Sequence, residues 1–168
     1  MNAWKGRTHE ERNLLNPAFC ATLIWHAAKG ASENSNALRA SLSFNEAFLI
    51  LPLVLHQNTR ESLPLRVSSS FPVWISANPL IVASLPERAK SLVPYTKEAI
   101  AFGSGGGIFR IEGQEIHIVS EHASSIRATM RRTSAEVQQC MKKAEFLGKW
   151  FAYTGSQETI FTLLGVRP

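Results

Sequence analysis

The stretch SLPERAKSLVPYTKEAIAFGSGGGIFRIEGQEIHIV, residues 84–119, decides the fold class, because it reads as two short helices followed by a tight hairpin. Ser84 and Glu87 stand at capping-box spacing, and Leu85, Ala89 and Leu92 follow at helical intervals. Pro94 breaks that helix and suits the first turn of the next, whose buried positions are Tyr95, Ala99, Ile100 and Phe102. The glycine-rich run from Gly103 to Gly107 ends it. A type II′ turn at Gly113-Gln114 then sets Glu112 against Glu115, Ile111 against Ile116 and Phe109 against Ile118, so four apolar side chains share one face. Arg110, His117 and the two glutamates take the other face. A slip of one residue would scramble that division, which favours this register. Two helices and a hairpin outline a winged helix. The expectation is a mainly α chain with a small β-hairpin, organised as one domain: N-terminal helices at 16–83, a winged-helix-like module at 84–119, and a C-terminal arm and helices at 120–168.

Composition bounds what the chain can do. With 168 residues, 45% apolar and 18% charged, it can bury a core and is not of the disordered class. A net charge of +5 raises the question of nucleic acid without answering it. All thirteen acidic residues are glutamate. The absence of aspartate removes the Ser-His-Asp triad, the aspartic dyad and the usual Mg²⁺ ligands of phosphoryl transfer. Cys20 and Cys140 lie far apart with no CxxC pair, which speaks against structural zinc and for buried free thiols in a reducing compartment. The N-terminus is charged where a signal peptide would be apolar, and Phe48–Leu55 is too short to span a bilayer, so the expected location is the cytoplasm.

Taken in order, Asn16-Pro17 is a helix start after a flexible lead-in, with Phe19, Leu23, Ile24 and Ala27 inward and Gly30 at the end. Residues 31–40 read as a polar loop. Ser43 and Glu46 open a second helix, apolar nearly all round and interrupted at Pro52, which is expected to be the central one. A short turn at 59–63 and a helix through Phe71–Ile75, capped by the serines at 68–70 and closed by Asn78-Pro79, lead into the deciding stretch. After the hairpin comes a basic arm with Arg127, Arg131 and Arg132. Ser134 caps a long helix with the inner stripe Val137, Cys140, Met141, Ala144, Leu147, Gly148 and Phe151, in which Ala144 and Gly148 permit close helix approach. Phe146, Trp150 and Tyr153 form a second apolar row, either deep in the fold or lent to a partner. Gly155 ends that helix, and Phe161 and Leu164 lie on a final apolar turn that docks on the core or on another subunit.

No catalytic, cofactor-binding or metal-ligating residue is assigned. The glycine cluster lacks the Lys-Ser/Thr of a P-loop and follows a helix rather than preceding one. His26 has no carboxylate at helical spacing, and His117 and His122 lack a second ligand pair. The candidate recognition helix carries Glu98 beside Lys97, and the wing tip carries Glu112 and Glu115, which phosphate would repel. Positive charge gathers instead at Arg127, Arg131, Arg132, Lys142 and Lys149, the candidates for DNA contact. Phe146, Trp150, Tyr153, Phe161 and Leu164 are the candidates for partner contact.

NPAFC at 16–20, AFLILPLVLH at 47–56, KAEFLGKWF at 143–151 and TIFTLLGVRP at 159–168 resemble the middle component of bacterial three-component ABC systems, to which the Lamassu anti-phage systems belong. The resemblance covers 16–168 and supplies no catalytic residues. It implies a small non-enzymatic subunit that couples an ABC ATPase related to SMC proteins to an effector, often a nuclease; winged-helix subunits are common partners of such ATPases, which agrees with the module read at 84–119. From the motifs and hydropathy of the chain, no cofactor and no membrane partner are expected. A DNA-binding winged-helix regulator is the competing reading.

Overall fold

The computed structural model describes residues 6, 8, 14–33 and 37–167. In chain order the elements are α1 Pro17–Glu33, β1 Leu42–Ser43, α2 Ala47–Val54, α3 Gln57–Ser62, α4 Phe71–Ala77, α5 Pro79–Gly105, β2 Phe109–Glu112, β3 Glu115–Ile118, α6 Ala123–Arg131, α7 Ala135–Thr154 and α8 Gln157–Leu164. Most of the lead-in before Asn16, and residues 34–36 of the polar loop, lie outside the described residues. The chain is mainly α with one small antiparallel sheet.

The hub is α1. Asn16 Oδ1 accepts from the Ala18 amide at 2.8 Å, so the helix starts where the Asn-Pro signal places it. From Cys20 to Ala28 every residue but Thr22 is buried, because α5 and α7 both pack on this helix. The helix does not end at Gly30. It runs on to Glu33, and Gly30 serves the crossing instead: a Cβ there would lie 2.0 Å from the Glu145 carbonyl oxygen, and one at Gly148 would lie 1.8 Å from that of Ala27. Bare backbone at these two positions lets α1 and α7 touch. The shorter α2 is also buried, apart from Phe48, but it is a flank of this hub rather than its centre.

The two helices expected within residues 84–119 are one. A single helix runs from Pro79 to Gly105 with Pro86 and Pro94 inside it. Leu85, Ala89, Thr96, Ala99, Ile100 and Gly103 form a buried stripe that keeps helical phase across Pro94. Tertiary burial on both sides outweighs the hydrogen bond that the proline removes. Ser84 is therefore interior, its hydroxyl donating to the Ile81 carbonyl at 2.9 Å, and caps nothing. The winged-helix expectation loses the helix pair on which it rested.

The hairpin half of that expectation is present in the expected register, Phe109 opposite Ile118, Ile111 opposite Ile116 and Glu112 opposite Glu115, with Gly113 at φ 62° in the turn. The Phe109 ring lies where a Gly103 side chain would be, so the absent Cβ seats the sheet on the end of α5. Ile111 does not face inward as expected. It is 38% exposed because β2 is an edge, whereas Ile116 on the central strand is covered by Ile111 on one side and by Leu42 of β1 on the other. Strand β1 comes from the stretch read as the start of α2. There the buried Glu46 carboxylate accepts from the Ser43 amide at 2.9 Å and pairs with Arg39, which also donates to the Gly155 carbonyl at 2.9 Å.

Candidate partner-binding surfaces

Helix α7 begins at its expected cap, Ser134 Oγ accepting from the Val137 amide at 3.3 Å, and its inner stripe faces α1. The second row divides. Trp150 is fully buried: its indole N–H donates to the Ser69 carbonyl at 2.8 Å, Phe71 lies 4.5 Å from it and Trp74 meets it edge-on at 5.7 Å. Helix α4 has taken that part of the row into the core. Phe146 is half-buried against Trp150, with the Lys143 ammonium 5.4 Å from its ring centre, and Tyr153 is exposed. Phe161 and Leu164 are buried, since α8 folds back on the chain itself. Of the five partner-contact candidates, Trp150 and Leu164 are fully buried, Phe161 keeps 5% of its surface open, Phe146 is half-buried, and Tyr153 is the most exposed at 39%.

A concave surface that the sequence reading missed is assembled from three segments. Phe44 is positioned by its amide, which donates to the Gln114 carbonyl at 2.7 Å, and its ring meets Phe48 edge-on at 5.7 Å. At the far end, Gly165 adopts the left-handed conformation (φ 66°) that closes α8, and the Val166 amide returns to the Phe161 carbonyl at 3.1 Å, turning Val166 back. Between them runs the outer flank of α5 with Pro86 and Val93. The result is a groove of about 570 Å³ floored by Phe44, Phe48, Pro86, Val93, Phe161 and Val166. Lys90, Lys97, Arg167 and Glu87 edge it. The only trace of it in the sequence is the helical spacing of Lys90, Val93 and Lys97.

The positive candidates fall in two groups. Arg127, Arg131 and Arg132 are exposed on and just after α6, as is Lys142 on α7. Lys149 is engaged within the fold: it pairs with Glu145 at 3.0 Å, which also pairs with Lys29 at 3.1 Å and lies 3.5 Å from His26 Nδ1. His26, Lys149 and Lys29 hold the Glu145 carboxyl well below the usual range, against the upward push of burial. The carboxylate that answers His26 thus comes from α7, not from its own helix. At the hairpin tip Glu112 pairs with Arg110 at 3.2 Å and Glu115 with His117 at 3.3 Å, all on the surface.

Among the described residues no three His, Cys or Glu side chains stand close enough to hold a metal ion. Cys20 and Cys140 are free and buried, and burial pushes the Cys140 thiol up. No described helix is long and apolar enough to cross a membrane. What the surface offers is shape, apolar area and charge.

The family model of the ABC-three component system middle component 3 matches residues 4–168. The chain belongs to that family. No curated protein and no solved structure matches it. In this middle component the groove along α5 joins an apolar floor to a charged edge, and α6 carries the exposed Arg127 and Arg131.

Proposed function

We propose that this middle component is a non-enzymatic adaptor of an anti-phage defence complex, holding an SMC-like ABC ATPase and an effector, often a nuclease, in one assembly. The observation that carries the reading is membership of a three-component family over nearly the whole chain. The groove along α5 supports it, because its polar edge is made of charges rather than of a nucleophile with its base. Co-expression of the three components and purification through a tag on this chain tests it: both others are retained, and the isolated chain has no hydrolytic activity of its own. Elution of the chain alone from a lysate containing all three would refute it.

Contact with DNA is the second reading, favoured by one observation. Arg127, Arg131 and Arg132 are exposed together and form no ion pair with a described residue. Such a cluster would give non-specific, salt-dependent affinity for duplex within the complex. Retention of a labelled duplex at low salt, lost on changing Arg131 and Arg132 to glutamine, is the expected result, and equal retention by both proteins removes this reading.

A further inference from the structure

We infer that the groove along α5 receives an acidic amphipathic helix contributed by one of the other two components, an inference that rests on the adaptor reading above. Its lining follows α5 from Pro86 to Lys97, about 16 Å or three turns at the rise of an α-helix. That is the footprint of a helix laid in a groove, read through apolar anchors on one of its faces. The floor supplies the apolar half of the match, with Phe48, Val93 and Val166 each partly open to solvent and Phe161 closing the bottom.

The edge supplies the sign of the charge. Lys90 and Lys97 are seven residues apart on α5, two turns or about 10 Å, and both are exposed. Neither forms an ion pair or hydrogen bond with a described residue. Arg167 stands on the opposite wall, and Glu87 is the one acid among the lining residues. Carboxylates spaced seven residues apart on an incoming helix would meet Lys90 and Lys97 in register. Exposed pairs of this kind select the partner and speed encounter, while the apolar floor holds it.

Two other occupants fit less well. A second copy related by a two-fold axis would bring the same cations toward one another. Single-stranded nucleic acid needs open ring faces on which bases stack, and here half of the six floor residues are aliphatic or proline while Phe44 and Phe48 pack edge to face.

The test places the photo-crosslinking residue p-benzoylphenylalanine at position 93 of the full chain, co-expressed with both other components. The expected product is a crosslink to a partner stretch of net negative charge with apolar residues at helical spacing. The double variant Lys90→Glu/Lys97→Glu, whose changes are on the surface, is expected to fold normally by circular dichroism and to bind that component at least about tenfold more weakly. An assembled complex with no crosslink at position 93 overturns the groove proposal and leaves the adaptor reading standing. So does a crosslink to a second copy, to nucleic acid or to a basic segment, and so does unchanged affinity of the double variant. Failure of the three components to assemble overturns both.

Discussion

Arg60 and Arg88 converge on one helix end: Arg60 donates to the Val54 carbonyl at 2.8 Å and Arg88 to the Pro52 carbonyl at 3.0 Å. The last carbonyls of α2 have no intrahelical donors, and positive charge is favourable where the helix dipole is negative. Arg60 is buried and also reaches Gln139 at 3.2 Å and Glu136 at 3.3 Å, so it fastens α2 to α7. Arg60→Met keeps the unbranched apolar stem of the side chain but removes the guanidinium, and leaves the Val54 carbonyl unpaired. The expected loss is about 2–3 kcal/mol, seen as a lower urea midpoint with an unchanged slope.

His56 links this end to pH. Arg88 donates to Thr59 Oγ1 at 2.9 Å, which leaves the Thr59 hydroxyl proton for His56 Nδ1 at 2.8 Å. The Thr59 amide points at the same nitrogen at 3.3 Å, so Nδ1 caps α3 as an acceptor. Burial, Arg88 and Arg60 hold this imidazole below its ordinary value of 6.5. The unfolded chain therefore takes up the proton first, and this contribution, complete above 6.5, is lost as pH falls below it. His56→Asn keeps a cap without the titration, so its thermal midpoint should be flatter than that of the parent between about pH 7 and pH 5. Parallel curves would refute the assignment.

Glu145 acts in a lower window. Its carboxyl, with His26, Lys149 and Lys29 around it, is held below the ordinary 4.5, so its contribution is present above that value and drains away as pH falls below it. Glu145→Gln has no proton to take up. The variant should start less stable at neutral pH and lose less than the parent by about pH 3, as measured by denaturant melts across that range.

Gly148 and Gly105 make a matched pair of opposite sign. A methyl group at Gly148 would collide with the backbone of Ala27, and neither helix can retreat without opening the hub. Gly148→Ala is expected to cost about 3 kcal/mol. At Gly105, the last residue of α5, a Cβ meets nothing within 4 Å, so Gly105→Ala is expected to be neutral or to add about 0.5 kcal/mol by restricting the unfolded chain. Thermal melts of the two variants separate packing from propensity.

The parts of this fold that could be read in advance are those decided locally. The hairpin register followed from alternation and a turn glycine, and α7 followed from its cap, its stripe and Gly155. What stayed hidden depends on which distant segment covers a residue. Trp150 reads as a surface or a core side chain with equal ease until α4 is seen lying on it. β1 is two residues long and exists only because β3 is beside it. The groove joins segments 44–48, 86–97 and 161–167, none of which signals the others.

Pro94 marks the limit of local reading and gives a last prediction. Within α5 its ring nitrogen cannot bond to the Lys90 carbonyl and its ring crowds that turn, a penalty of about 3 kcal/mol relative to alanine in an open helix. Pro94 is exposed, so alanine there removes no buried contact. The gain is offset by about 1 kcal/mol, because alanine leaves the unfolded chain freer than proline does. Pro94→Ala should therefore stabilise the protein by about 1–2 kcal/mol, with a higher thermal midpoint and slower amide exchange in residues 90–98. If the helix were two segments hinged at this proline, the same change would stiffen the hinge and alter the packing of α5 on α1, and the midpoint would fall. The direction of that one shift distinguishes a continuous helix from a broken one.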